Sequence, residues 1–195
     1  MWDERYSGDT FVYGTEPNDF LVEQTHLIPQ GAVLCLAEGE GRNAVYLAKK
    51  GYEVHAIDLS KVGREKALSL AEQTGTQIRY DVGDLAHLEI GQGNWSGIVS
   101  IFAHTPSELR HSVHQKVVSG LKPGGVFILE AFSPDQLHSS GLGGPKDPDM
   151  LMSLQALRQE LAGLDLVIAR EVVRCVDEGE FHRGESCVIQ IVAIK

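Results

Sequence analysis

Gly39 and Gly41 stand where an apolar run, AVLCLA (32–37), gives way to GRNAVYLAKK, in which Ala44, Val45, Leu47 and Ala48 share one helical face. Glycines at such a turn let backbone approach a ligand with no Cβ between them, and the helix start beside them offers unpaired N–H groups. About seventeen residues after Gly41, Asp58 ends a second apolar run, EVHAID. A carboxylate at a strand end faces the ligand crevice, where it can accept from both hydroxyls of a ribose. A third run is followed by VGDL, so that Asp84 can accept from an adenine amino group while the backbone of Leu85 meets the ring. Leu59, after the second run, and Phe102, at the end of the fourth, stand where they can wall the same site. Three strand ends thus converge on an adenosine-containing cofactor. Two plainer readings stay open: a tight turn that merely needs glycine, and an Asp58 that caps the helix beginning near Ser60.

The elements needed to position these residues are legible along the chain. Strands are expected at 32–37, 53–58, near 76–82, at 95–102 and at 126–132, with amphipathic helices after the first, second and fourth. A further helix is marked by Leu151, Leu154, Leu157 and Leu161, and two last strands, DLVIAREVVRCV and ESCVIQIVAIK, are joined by EGEFHRG, short enough for a hairpin. The expected fold is α/β: a mostly parallel seven-stranded sheet with a C-terminal antiparallel hairpin and helices on both faces. Residues 1–195 read as one domain, with 1–31 a polar, aromatic cap segment containing a short helix from Pro17 to about His26, and 32–195 the core.

A formal net charge of −10 would repel a phosphate backbone, so nucleic acid is not an expected partner, and the substrate is expected to be a small molecule. No apolar stretch approaches the ~20 residues of a membrane helix, and MWDERYSGD is too charged for a signal peptide, which gives a cytoplasmic expectation. Cys35, Cys175 and Cys187 form no C-x-x-C pair, although the last two fall on neighbouring strands. His111 and His114 flank the apolar stripe of Leu109, Val113 and Val117, and no metal site is expected there. Oligomeric state is left open.

Together, VLCLAEGEGRNAVYLA, Asp58, VGDL and LKPGGVFILEAF resemble the successive motifs of class I S-adenosylmethionine-dependent methyltransferases, over about residues 32–132. WDERY and YGTEP further resemble small enzymes of the tellurite-resistance and thiopurine group. The resemblance implies a Rossmann-like fold, S-adenosylmethionine as cofactor with S-adenosylhomocysteine as product, and methyl transfer to a small molecule, such as a thiol or chalcogenide. It implies a cofactor site at Ala37, Glu38, Gly39, Gly41, Arg42, Asn43, Asp58, Leu59, Asp84, Leu85 and Phe102. Cys35 and Ala37 stand where that family usually carries an acidic residue and a glycine. Glu38 is expected to supply part of the missing field, and Ala37 to fit with negative φ. Arg42 and Asn43 are placed to reach the cofactor's carboxylate.

For catalysis, His104 follows the fourth strand at the substrate edge and is a candidate general base or substrate contact, with Tyr13 and Tyr6 of the N-terminal segment as pocket residues. Two rival readings remain. An NAD-dependent oxidoreductase also fits Gly39-x-Gly41-x-x-Ala44 followed by Asp58, and a non-catalytic cofactor-binding protein fits the altered Cys35 and Ala37.

Overall fold

A computed structural model describes residues 2–195. Its seven strands form one sheet in the order β3-β2-β1-β4-β5-β7-β6. The strands are β1 (Ala32–Leu36), β2 (Glu53–Asp58), β3 (Arg79–Val82), β4 (Trp95–Ile101), β5 (Leu121–Phe132), β6 (Asp165–Asp177) and β7 (Arg183–Ile194). The first five run parallel, and β7 returns antiparallel between β5 and β6, as the sequence pattern predicts. Reversal of strand order on either side of β1 and β4 opens a crevice at their C-terminal ends, where such sheets bind ligands.

The period-two alternation of β1 shows how the sheet gains two cores. Leu34 and Leu36 face one side with Val113 and Val117 of α5 (Ser107–Gly120) and Leu157 of α6 (Leu154–Glu160). Val33 and Cys35 face the other, with Phe20 and Leu21 of α2 (Asp19–Gln24), Leu47 of α3 (Arg42–Lys49) and Ala67 of α4 (Lys61–Gln73). Ser60 caps α4, its hydroxyl accepting from Gly63 N at 2.9 Å.

Three local features differ from the sequence pattern. The LKPGG segment is part of β5: Leu121 already pairs with Trp95, and a bulge restores the register at Gly97 and Val126. The helix marked by Leu151 starts only at Leu154, because Ser153 caps it and Met152 N is taken by Phe132 O at 3.1 Å. Trp2–Arg5 forms a short helix, α1, that the irregular aromatics did not announce. Cys175 and Cys187 lie on adjacent strands out of direct register, and all three cysteines are free thiols.

Candidate active site

At the nucleoside end, Gly39 (φ 63°) and Gly41 (φ 91°) sit in the left-handed region that a side chain would strain, and Gly41 is the N-cap of α3. Asp58 Oδ2 accepts from Gly39 N at 3.0 Å, and Oδ1 accepts from Ser60 N at 2.9 Å. The carboxylate therefore ties the glycine loop to the β2–α4 turn, with the Leu59 N–H also directed at it, and keeps some lone-pair capacity. It is 8% exposed, not facing an open crevice as the strand-end position suggested. Burial raises its pKa, opposed by the bonds from Ser60 and Gly39. Beside it Leu59 is 55% exposed, an apolar platform without a partner. Asp58 pairs across the sheet with Val82, which brings Asp84 and Leu85 to the same edge. The Asp84 carboxylate caps its own turn, accepting from Ala86 N at 2.9 Å. A buried carboxylate with unused lone pairs, a bare leucine face and a neighbouring polar turn suit a ribose and its base, so the residues present fit the adenosine part of the expected cofactor.

Glu38 reaches inward and accepts from Ala44 N at 2.7 Å, capping α3 from within. It lies beside the Cys35 thiol, and burial pushes its carboxyl up to about 7 against the Ala44 bond and the Arg42 charge. An acidic group thus stands next to the position where the related family carries one. The expectation of negative φ at Ala37 fails: its φ is 48°. An L-residue held there costs roughly 1–2 kcal/mol.

Arg42 and Asn43, expected to reach the cofactor's carboxylate, are engaged by groups of the protein itself. Arg42 donates to Glu178, and Asn43 Oδ1 accepts from Asn18 N at 2.9 Å. These bonds belong to a buried network that the sequence reading missed. Glu130, fully buried on β5, accepts from Asn18, from two nitrogens of Arg174 and from Gln190. Glu178 accepts from Asn18, Arg42 and Arg174, whose charges outweigh its burial and hold its carboxyl low. A charge inside the apolar strand VFILEAF was the available signal, since a buried carboxylate must be paired.

The N-terminal segment is pinned across the glycine loop. Asp3 accepts from Ser60 Oγ at 2.6 Å and Val62 N at 3.3 Å, and Glu40 Oε2 accepts from Val12 N at 2.7 Å. Tyr6 is buried against Gly39 and Gly63, where a Cβ added to Gly39 would come within 2.7 Å of its hydroxyl. Burial and the nearby Asp58 charge push its phenol pKa upward, which keeps the proton on. Tyr13 packs edge-on to Tyr6, and its hydroxyl accepts from Arg5 at 2.9 Å.

At the C-terminal ends of β4 and β5, the stacked rings of Phe102 and Phe132 have centroids 4.6 Å apart. Phe102 holds φ 53°, a strained value for an aromatic residue. His104 Nδ1 bonds Met150 O at 2.9 Å and Nε2 accepts from Phe132 N at 3.2 Å, so neither nitrogen has a lone pair for a substrate proton. Burial lowers its pKa to about 4. His104 is thus a brace between β5 and the following loop, and the general-base role expected of it is not what its geometry offers. His114 is paired with Glu160 and His111 with Gln115. The group left open is His182, on the β6–β7 connection: it is 9% exposed, and its Nδ1 lacks a hydrogen-bond partner. Such an orphan costs roughly 1–3 kcal/mol.

With fold and site described, comparison defines the class. Residues 33–125 match the methyltransferase domain family. The fold is Rossmann-like, and the matched residues, just under half of the chain, resemble class I S-adenosylmethionine-dependent methyltransferases. It is 30% identical over 123 residues to the 2-heptyl-1-hydroxyquinolin-4(1H)-one methyltransferase of Mycobacteroides abscessus, covering 59% of this chain and 53% of that protein. The chain spans about half the length of the curated relatives it matches. Among solved structures, TehB from Haemophilus influenzae has a TM-score of 0.75 at 19% identity, covering 100% of this chain and 65% of that one. The CcbJ methyltransferase from Streptomyces caelestis has a TM-score of 0.73 at 19% identity, covering 100% and 96% respectively. At these identities the structures speak for the fold. Among the described residues, no helix is long and apolar enough to cross a membrane.

Proposed function

We propose that this chain transfers a methyl group from S-adenosylmethionine to a small-molecule acceptor. The observation that carries the proposal is the Asp58 carboxylate, held by Gly39 N and Ser60 N beside the exposed Leu59. That arrangement suits a ribose hydroxyl pair next to an apolar base-stacking face. The cofactor supplies an electrophilic methyl on a cationic sulfur, so the protein's work is alignment and exclusion of water. Asp58 orients the ribose, Glu38 holds the start of α3 from within, and the segment carrying Tyr6 closes one side.

The acceptor expected from the sequence, a thiol or chalcogenide, ionises readily and asks nothing of His104 or Tyr6. A second acceptor class, a ring hydroxyl, is favoured by the relative whose name is that of a hydroxyquinolone methyltransferase. Calorimetric titration separates methyl transfer from the nicotinamide reading: S-adenosylhomocysteine should bind with micromolar affinity and NAD should give no heat. NAD binding without S-adenosylhomocysteine binding would reverse the assignment.

A further inference from the structure

His182 stands in a ring of aromatic side chains at the C-terminal edge of the sheet. Its ring centroid is 4.5 Å from Tyr13, 4.6 Å from Phe102 and 5.3 Å from Phe132. Phe102 directly follows β4, the strand beside which the crevice opens, so this ring of side chains lies at the acceptor end of the site. Nδ1 is shielded from solvent and bonds to nothing, whereas the other buried side-chain nitrogens and oxygens among the described residues find partners. A polar atom kept dry and unpaired inside an aromatic enclosure is matched by a ligand that brings both a flat apolar surface and one hydrogen-bond donor.

We infer that His182 Nδ1 receives the hydroxyl proton of a planar aromatic acceptor held among Tyr13, Phe102 and Phe132; this rests on the methyl-transfer reading above. The imidazole is suited to that task because it stays neutral: burial and the Arg42 charge hold its pKa down to about 3. A neutral hydroxyl suits the place better than a thiolate, since an anion would gain nothing from an uncharged imidazole and would sit near the Glu178 carboxylate. As the acceptor oxygen forms its bond to the methyl carbon, the carbon–sulfur bond breaks with its electron pair remaining on sulfur. The hydroxyl proton passes to Nδ1, leaving a methyl ether, a neutral thioether and an imidazolium. Even a weakly basic imidazole suffices, because the oxygen's proton becomes strongly acidic once the new bond forms. The imidazolium appears as the sulfonium charge vanishes, so positive charge in the cleft is conserved, and Glu178 offsets part of the opposition from burial and Arg42.

Access comes from the loop following β5. A Cβ added to Gly143 would lie 2.7 Å from Phe132 Cζ and 3.1 Å from His182 Cδ2, so this bare stretch of backbone lies directly on the enclosure. It is clipped to the hairpin by the paired Leu142 and Arg183 backbones, at 2.6 and 3.0 Å.

The test uses the full chain with ¹⁵N-labelled histidine, saturated with S-adenosylhomocysteine and titrated with 1-naphthol, 1-methoxynaphthalene and 1-naphthalenethiol. The His182 Nδ1 resonance, assigned by its loss in His182→Phe, should move upfield with 1-naphthol only. 1-Naphthol should bind about tenfold more tightly than the methyl ether, and His182→Phe should remove that preference while binding S-adenosylhomocysteine as before. His182→Gln, which keeps an acceptor atom, should restore part of the preference. Methylation of 1-naphthol by His182→Phe should fall about a hundredfold in kcat/KM. An unmoved resonance, equal affinity for 1-naphthol and its ether, no 1-naphthol binding, or a His182→Phe variant as active as the parent would each overturn the inference. Failure of the parent protein to bind S-adenosylhomocysteine would instead sink the methyl-transfer reading itself.

Discussion

The two ends of the crevice are built by different means. At the nucleoside end, Asp58 bonds backbone N–H groups 2 and 19 positions away, and the glycine loop, Leu59 and Asp84 follow successive strands. At the acceptor end, Asn18 reaches Glu130 and Glu178 across 112 and 160 positions, and Arg42 reaches Glu178 across 136. The first end is local backbone geometry, with a carboxylate as its clasp. The second is a set of ion pairs and aromatic contacts that exist only after the hairpin has closed against the N-terminal segment. The cofactor end should therefore tolerate loss of the hairpin contacts better than the acceptor end does.

The largest expected effect comes from Glu130→Ala. It leaves Gln190 Nε2 without its partner and Arg174 and Asn18 with Glu178 as their remaining buried carboxylate, and should lower stability by about 3–5 kcal/mol in chemical denaturation. Spectroscopic changes concentrated in β5–β7, with the β1–β3 edge less affected, would sharpen the comparison; a loss under about 1 kcal/mol would break it.

A smaller effect, of opposite sign, concerns Glu38. Its folded pKa of about 7 stands above the ordinary value of 4.5, so the folded chain holds this proton more tightly than the unfolded chain. Stability from this group is therefore full below pH 4.5 and is lost as pH rises toward 7. Glu38→Gln keeps an acceptor for Ala44 N and should remove that slope, worth about 3 kcal/mol at most. A parent protein whose melting temperature rises between those pH values, with the variant following it in parallel, would contradict the placement of this carboxyl.

The same division explains what the sequence made legible. The succession of strands and helices, the C-terminal hairpin and the strand-end position of Asp58 follow from apolar runs, glycines and spacing, all of them short-range properties. The left-handed φ of Ala37 was hidden because residue type argued against it, and surrounding packing decided otherwise. The bracing role of His104 was hidden because its position after β4 was visible while its partners, Met150 and Phe132, were not. Glu130 carried a signal, a charge within an apolar strand, but its partners Asn18, Arg174 and Gln190 come from three separate segments. His182 carried none: in EGEFHRG it reads as a solvated loop histidine, and only the folded hairpin buries it among aromatic rings.

Asp58 is expected to bind the ribose as well as to clasp the glycine loop. Calorimetric titration of Asp58→Ala with S-adenosylhomocysteine, beside thermal melting of the same variant, tests it most directly. Because the carboxylate holds Gly39 N and Ser60 N, stability should fall by about 1–3 kcal/mol. Affinity should fall much further than this loss of folded population explains, roughly 30- to 1,000-fold in a sample still folded at the titration temperature. A lowered melting temperature with S-adenosylhomocysteine affinity retained would show that Asp58 only holds the loop, and would contradict the claim.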